Sequence, residues 1–407
     1  MHPRLRGHGS RSRRTRGSSL LTAPSVVLFL CLFASQAGML VLSPILPEIA
    51  REFGVSTATA GQLRSISGAT GGLTAIAIAV ARRRPGLREL LTAGAALVAL
   101  GSTLSAAAPS FALLAAAQGL LGIGIGLLVA VGIATAGIWP SRDRRAHVLA
   151  CAIAGMPAAW ITGMPVVGVV AELHWRLAWV AVPTVVALAA IVLLRLRPAD
   201  APSRRTGDAV GAWRRPDVAR FTAGELLANA AWASVLTYVG ALLLESYDLS
   251  PAIVALGLSA TAAAMLPGTF AARRSAARAT PALLAALTAL QGSAVLVLGT
   301  VRPTAALTLA VLALMAYTNG WRSMVASTVG MEVAPEDKVA VMAMRAAANQ
   351  FGYLLGAAAG GLALAGAGFA GLGAALSTMF FFAVLVQTPA LGAVHAGLAR
   401  RVAARGA

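Results

Sequence analysis

Apolar residues in this chain run in about twelve long blocks, each roughly 18–25 residues, the length at which a helix crosses a bilayer. The blocks cover 23–46, 58–81, 90–107, 111–138, 146–170, 178–196, 218–244, 251–272, 281–300, 304–330, 339–365 and 368–394. Short stretches rich in Arg, Pro and Gly separate them. Helices on the surface of a water-soluble domain keep one polar face, and these blocks do not. The pattern predicts an all-α, multi-pass membrane protein of twelve transmembrane helices. Function must then be read from the polar residues inside the blocks.

Composition agrees: 58% of the 407 residues are apolar and the mean hydropathy is +0.78. The formal net charge of +19 would suggest nucleic acid in a soluble protein. Here it lies almost wholly between the blocks, so it reports orientation instead. One set of loops holds 27 of the 33 basic residues, from Arg4 to Arg16, Arg82 to Arg88, Arg142 to Arg145, Arg195 to Arg220, Arg273 to Arg278, Lys338 and Arg400 to Arg405. The opposite loops hold only Arg51, Arg176 and Arg302. Both termini are therefore expected in the cytoplasm, with the chain in the cell (inner) membrane. Cys31 and Cys151 fall inside apolar blocks with no metal-ligand spacing. Residues 1–22 read as a basic cytoplasmic tail followed by an uncleaved first span.

Residues 197–217 (RPADAPSRRTGDAVGAWRRPD) form the longest polar interruption and read as a surface linker. They divide the chain into six-helix bundles at 23–196 and 218–394, with a second cytoplasmic tail at 395–407. Weak internal similarity links the bundles: Arg82-Arg83 with Arg273-Arg274, Gly163 and Gly168 with Gly356 and Gly361, Trp160 with Tyr353, and Gln118-Gly119 with Asn319-Gly320. Repeats of this kind place a substrate at the interface between them.

The fifth block and the loop after it read Gly155-Met-Pro157, Gly163-Met-Pro165-Val-Val-Gly168 and His174-Trp175-Arg176-Leu-Ala-Trp179. This resembles the antiporter motif of the major facilitator superfamily, and is most similar to its twelve-helix drug/proton antiporter branch, including sugar-efflux-like members. Pro44 to Ala50 and Phe53 to Ser56 in the first block fit that branch, as do Arg345 to Gly361 in the eleventh. The resemblance implies the major facilitator fold in two pseudo-symmetric halves, a monomer, no cofactor, and export of small amphipathic or sugar-like compounds by proton antiport. Two positions depart from it. The loop after the second helix keeps Arg82 and Arg83 but lacks the family's Asp, and Ala115 stands where the fourth helix carries an Arg associated with proton coupling. A uniporter or importer on the same fold, and a non-transporting sensor, stay open. Enzyme motifs with buried bases or nucleophilic elbows are absent from the sequence.

A charge in the bilayer core is costly and normally faces a cavity or a partner. Glu225, Asn229 and Trp232 share one face of the seventh helix, a candidate proton- or substrate-binding face, with a structural Glu held by an Arg as the alternative. Arg322, near Asn319, would pair with Glu225, hold an anionic substrate, or reach the inner interface. Arg345 reads as structural, reaching toward the cytoplasm. Arg64 either lines the outer vestibule or extends outward, and Gln118 is a further candidate lining residue. Gly68 and Gly72, Gly122 and Gly126, and Gly352, Gly356 and Gly360 give flat faces for close helix contact. The resemblance sets helices 2 and 11 against each other at the boundary between halves. Pro157 and Pro165 predict a bent fifth helix.

Overall fold

The computed structural model describes residues 24–81, 83–198, 203–204, 214–274, 280–302, 304–333 and 338–406. The basic tail at 1–22, Arg82 and most of the 197–217 linker lie outside them. The chain is built almost entirely of helices: α1 (Pro24–Leu40), α2 (Leu42–Glu52), α3 (Thr57–Val80), α4 (Leu87–Ala107), α5 (Phe111–Ala136), α6 (Arg145–Ala158), α7 (Met164–Leu173), α8 (Val185–Arg195), α9 (Pro216–Tyr247), α10 (Pro251–Ala263), α11 (Met265–Arg274), α12 (Pro281–Thr300), α13 (Ala305–Val333) and α14 (Lys338–Gly406). Among the described residues, nine stretches are long and apolar enough to cross a membrane. Helices satisfy every backbone group internally, which a lipid environment requires.

Their ends follow local chemistry. Ser56, Ser110, Ser250 and Thr280 cap α3, α5, α10 and α12 by accepting backbone N–H bonds from Thr59, Leu113, Ile253 and Leu283. Proline opens α9, α10 and α12, where its missing donor costs nothing. The single long α14 contains two predicted blocks: it breaks at Ala367 and at Gly368, whose φ of 59° suits glycine. The first arm precedes this break and the second follows it. The second arm continues as helix through 395–406, the segment read as the second tail.

The bend predicted in the fifth span takes a specific form. A π-helical turn at Ala159–Gly163 joins α6 to α7, between Pro157 and Pro165. A second π turn, containing Pro183, covers Val180–Thr184. Such turns absorb a missing backbone donor without breaking the helix.

Large apolar side chains point outward, Leu173 at 79% exposure and Leu362 at 75%, while Ser43, Ser102, Gln118, Gln291 and Gln387 are buried. A water-soluble core would show the reverse. Within the linker, Ser203–Arg204 pairs antiparallel with Arg83–Arg84. Arg88 donates to the Arg197 carbonyl nearby at 2.6 Å, so the linker's start is tied to the loop after α3.

Glycines set the closest helix contacts, and here one expectation is corrected. Gly68 and Gly72 of α3 do face α14, at Tyr353, Leu354 and Phe351. Gly352, Gly356 and Gly360 of α14 instead face Asn229, Ala230 and Ser234 of α9. The i+4 stripe and the α3 contact lie on different sides of the same helix; Gly361 is the glycine that meets α3, at Ala58 and Gln62. Gly122 and Gly126 pack on Ser67, Thr70 and Gly71 of α3.

Candidate functional site

Glu225 is fully buried in α9 and lies at the centre of a polar cluster. Its Oε1 accepts from Arg322 Nη2 at 2.5 Å and from Gln387 Nε2 at 3.3 Å. Its Oε2 accepts from Arg345 Nε at 2.7 Å. Arg322 is itself buried and donates from Nε to Thr288 Oγ1 at 3.0 Å. Arg345 donates to Ser327 Oγ and to the carbonyl and hydroxyl oxygens of Ser323, each at 3.1 Å. Gln387 also donates to the Phe221 carbonyl. The cluster joins α9, α12, α13 and both arms of α14.

One carboxylate faces two guanidiniums, so the site carries a net positive charge. Burial removes water from all three ions, and only their mutual attraction and the surrounding hydroxyls offset that loss. Both carboxylate oxygens are held by an arginine, so protonation of Glu225 would weaken its pairing with Arg322 and Arg345. Of the predicted face, Asn229 turns back to donate to the Glu225 carbonyl at 2.7 Å, and Trp232 is half-buried against the apolar core. Asn319 lies on a separate contact, accepting from Gln291 Nε2 at 3.4 Å. Arg345 does not reach toward the cytoplasm as expected, because a carboxylate within bonding distance outweighs a partly hydrated position.

Arg64 also departs from expectation. It neither extends outward nor lines an open vestibule; it is fully buried. Its Nη2 lies 3.5 Å from Ser43 Oγ, and its guanidinium carbon sits 5.9 Å from the centre of the Tyr353 ring. Its Nε and Nη1 have no hydrogen-bond partner. Gln118 turns away from the interface with the later helices and donates to Ser105 Oγ in α4 at 2.9 Å.

Charged partners recur at the end with few arginines. Arg176 bonds Glu52 Oε1 from Nη2 at 2.6 Å, and its Nη1 donates to the Ala106 and Ala108 carbonyls at 2.9 and 2.7 Å. Trp175 Nε1 donates to Glu52 Oε2, and the Arg176 guanidinium stacks 4.7 Å from the Trp175 ring. The Trp-Arg pair of the loop motif thus clamps the ends of α2 and α4.

The Major Facilitator Superfamily model matches residues 28–357. The chain belongs to the Major Facilitator Superfamily. It is 24% identical over 159 residues to an uncharacterised MFS-type transporter, YbcL, of Bacillus subtilis (strain 168). That match spans 39% of this chain and 41% of the relative's length. In fold it is similar to a bacterial homologue of the human lysosomal transporter Spinster in an inward-facing, occupied conformation, with a TM-score of 0.68, 16% identity and coverage of 97% of this chain and 98% of that one. It is also similar to a POT family transporter in complex with 5-aminolevulinic acid, with a TM-score of 0.75, 12% identity and coverage of 93% and 96%. The matched relative and these solved structures are named as transporters.

Against the superfamily's motifs, Gly155 packs on the backbone of Phe29 and Phe33 in α1, Gly163 lies near Val182 and Leu40, and Gly168 meets Pro251, Ala252 and Ala255 of α10. Only Gly168 of the three lies on α10. Of the Arg82-Arg83 pair, Arg83 is seen as backbone in the two-residue strand. Thr288, Ser323, Ser327 and Gln387 complete the Glu225 cluster, and the sequence reading singles out none of them. The signal was available: each is a polar residue inside an apolar block.

Proposed function

We propose that this chain is a secondary transporter that moves a small solute by alternating access between two six-helix halves, 23–196 and 218–394, with both termini in the cytoplasm of a cell whose inner membrane it spans. One observation carries the reading: hydrogen bonds between the first six and last six predicted spans gather toward the end with few arginines. Thr57 Oγ1 donates to Glu245 Oε1 at 2.8 Å, the Ala252 N–H to Glu172 Oε1 at 3.4 Å, Gln62 Nε2 to the Ala357 carbonyl at 3.1 Å, and Ser43 Oγ to the Leu236 carbonyl. Deeper in, Ser259 Oγ donates to the Ile161 carbonyl at 2.5 Å. Toward the Arg-rich loops, α6 packs on α1 and α11 packs on α13, each within its own half, while α3 still meets α14 as far as Gly72 and Phe351. The positive-inside distribution makes that end cytoplasmic. This is the cytoplasm-facing state of the cycle.

The helix-5 pattern favours export of small amphipathic or sugar-like compounds in exchange for protons. Glu225 is then the proton carrier: protonation removes its charge, weakens its hold on Arg322 and Arg345, and frees α13 and α14 to move. Proton flux in inverted vesicles, followed with a pH-sensitive dye against a panel of amphipathic compounds, sugars and amino-acid derivatives, tests this. Compound-evoked proton release should vanish in Glu225→Gln. A fully coupled Glu225→Gln protein sinks the assignment.

A second reading, uniport, is favoured by Ala115, by the absent loop Asp and by the pairing of both Glu225 oxygens with arginines. In it the cluster is a structural tie, and solute uptake proceeds without proton movement.

A further inference from the structure

Arg322 and Arg345, the other arginines deep within the predicted spans, have a carboxylate partner in Glu225. Arg64 does not. Among the described residues no acidic side chain bonds it, two of its three nitrogens have no partner, and its one hydrogen bond is long. A guanidinium taken from water without a counter-charge is among the costliest groups a membrane protein can bury.

The surroundings are shaped around it. Gly61 and Gly68 lie three residues before and four after Arg64, on the same face of α3. Gly61 seats the Tyr238 ring and Gly68 seats Tyr353; a Cβ at either position would overlap the tyrosine or its backbone. Ser43 of α2 closes a third side. Arg64 therefore sits where α2 and α3 meet α9 and α14, among groups from both proposed halves. Tyr238 OH donates to the Ala357 carbonyl at 2.8 Å and lies 3.5 Å from the Ala58 carbonyl, so it bridges the same seam.

We infer that Arg64 is the receptor for an oxyanion, the carboxylate or phosphate of a small organic substrate. The inference rests on the transport reading above and narrows its substrate class to organic anions. A guanidinium presents several fixed donors that match two acceptor oxygens. An anion seated there neutralises the buried charge and touches groups on both sides of the seam, so its arrival changes the balance between the two states.

The test uses the full chain in lipid nanodiscs. Thermal stability is titrated with matched acid–amide pairs (benzoate and benzamide, octanoate and octanamide, indole-3-acetate and indole-3-acetamide), with phenyl phosphate, and with sodium sulfate. At least one organic anion should stabilise the protein while its amide does not. Arg64→Gln should weaken that response at least tenfold while keeping a ligand-free Tm at or above the wild type, because the unpaired charge is gone. Arg64→Lys, which keeps the charge and loses the fork, should fall between. Equal responses to acids and amides, no response to any organic anion, or an undiminished response in Arg64→Gln would overturn the inference. So would an Arg64-dependent response to sulfate equal to that for the organic anions, which marks an inorganic ion site. Transport of uncharged compounds in the proton-flux assay, alongside such a result, would leave the transport reading standing. Anion binding without transport of any compound would do the opposite.

Discussion

Gly240 of α9 packs against the carbonyl of Ser43 in α2 so closely that a Cβ at this position would overlap the carbonyl oxygen. Next to it, Ser43 Oγ donates to the Leu236 carbonyl. The first of these contacts, at the closed end, needs a residue with no side chain at position 240.

Gly240→Leu should therefore keep that end from closing. In a background with Cys31 and Cys151 replaced by Ala, a cysteine at Thr57 should react with an impermeant maleimide severalfold faster when Leu replaces Gly240. An unchanged labelling rate would mean the contact does not limit access.

The Glu225 cluster should show strong coupling in stability. Removing one partner of a buried ion pair costs about 3–5 kcal/mol, because the other charge is left uncompensated. Glu225→Ala strands two arginines and should lower the Tm most. The double variant Glu225→Gln with Arg322→Gln should be more stable than Glu225→Ala. Thermal unfolding of the purified proteins checks this, and additive losses would show that the three groups act independently.

Arg176 holds the ends of α2 and α4 through Glu52 and the Ala106 and Ala108 carbonyls. Its pairing with Glu52 is partly exposed, so solvent screens that component. The carbonyl bonds and the stacking on Trp175 are what Arg176→Ala should lose, roughly 1–3 kcal/mol. Arg176→Lys should recover less than half, since an ammonium cannot reach the carboxylate and two carbonyls with one planar group. Chemical denaturation in detergent would measure both.

The helical architecture was legible because apolar block length and Arg asymmetry are physical requirements of a bilayer. Proline positions likewise foretold the irregular fifth span, although the π turn at Ala159–Gly163 was not among the expectations. Contacts between helices were less legible. A stripe such as Gly352, Gly356 and Gly360 announces a close neighbour but not which one, and here it is α9 instead of α3. Charge partners were half legible: Glu225 and Arg322 stood out and do meet, whereas Arg345 was assigned to the interface. The reason is rotational. A span's sequence fixes depth in the membrane, and only packing fixes the direction in which a side chain points. Tyr238, Gly240 and Ser43 went unremarked for the same reason, being unexceptional residues until α2 and α9 are placed together.

The central claim is that the end joined by Thr57 and Glu245 must open and close during transport. The side chains lie 2.8 Å apart, so Thr57→Cys with Glu245→Cys, in the background lacking Cys31 and Cys151, should form a cross-link under mild oxidation. Reconstituted in liposomes, the oxidised protein should show no compound-evoked flux, and reduction should restore it. Equal flux before and after cross-linking would contradict alternating access at this seam.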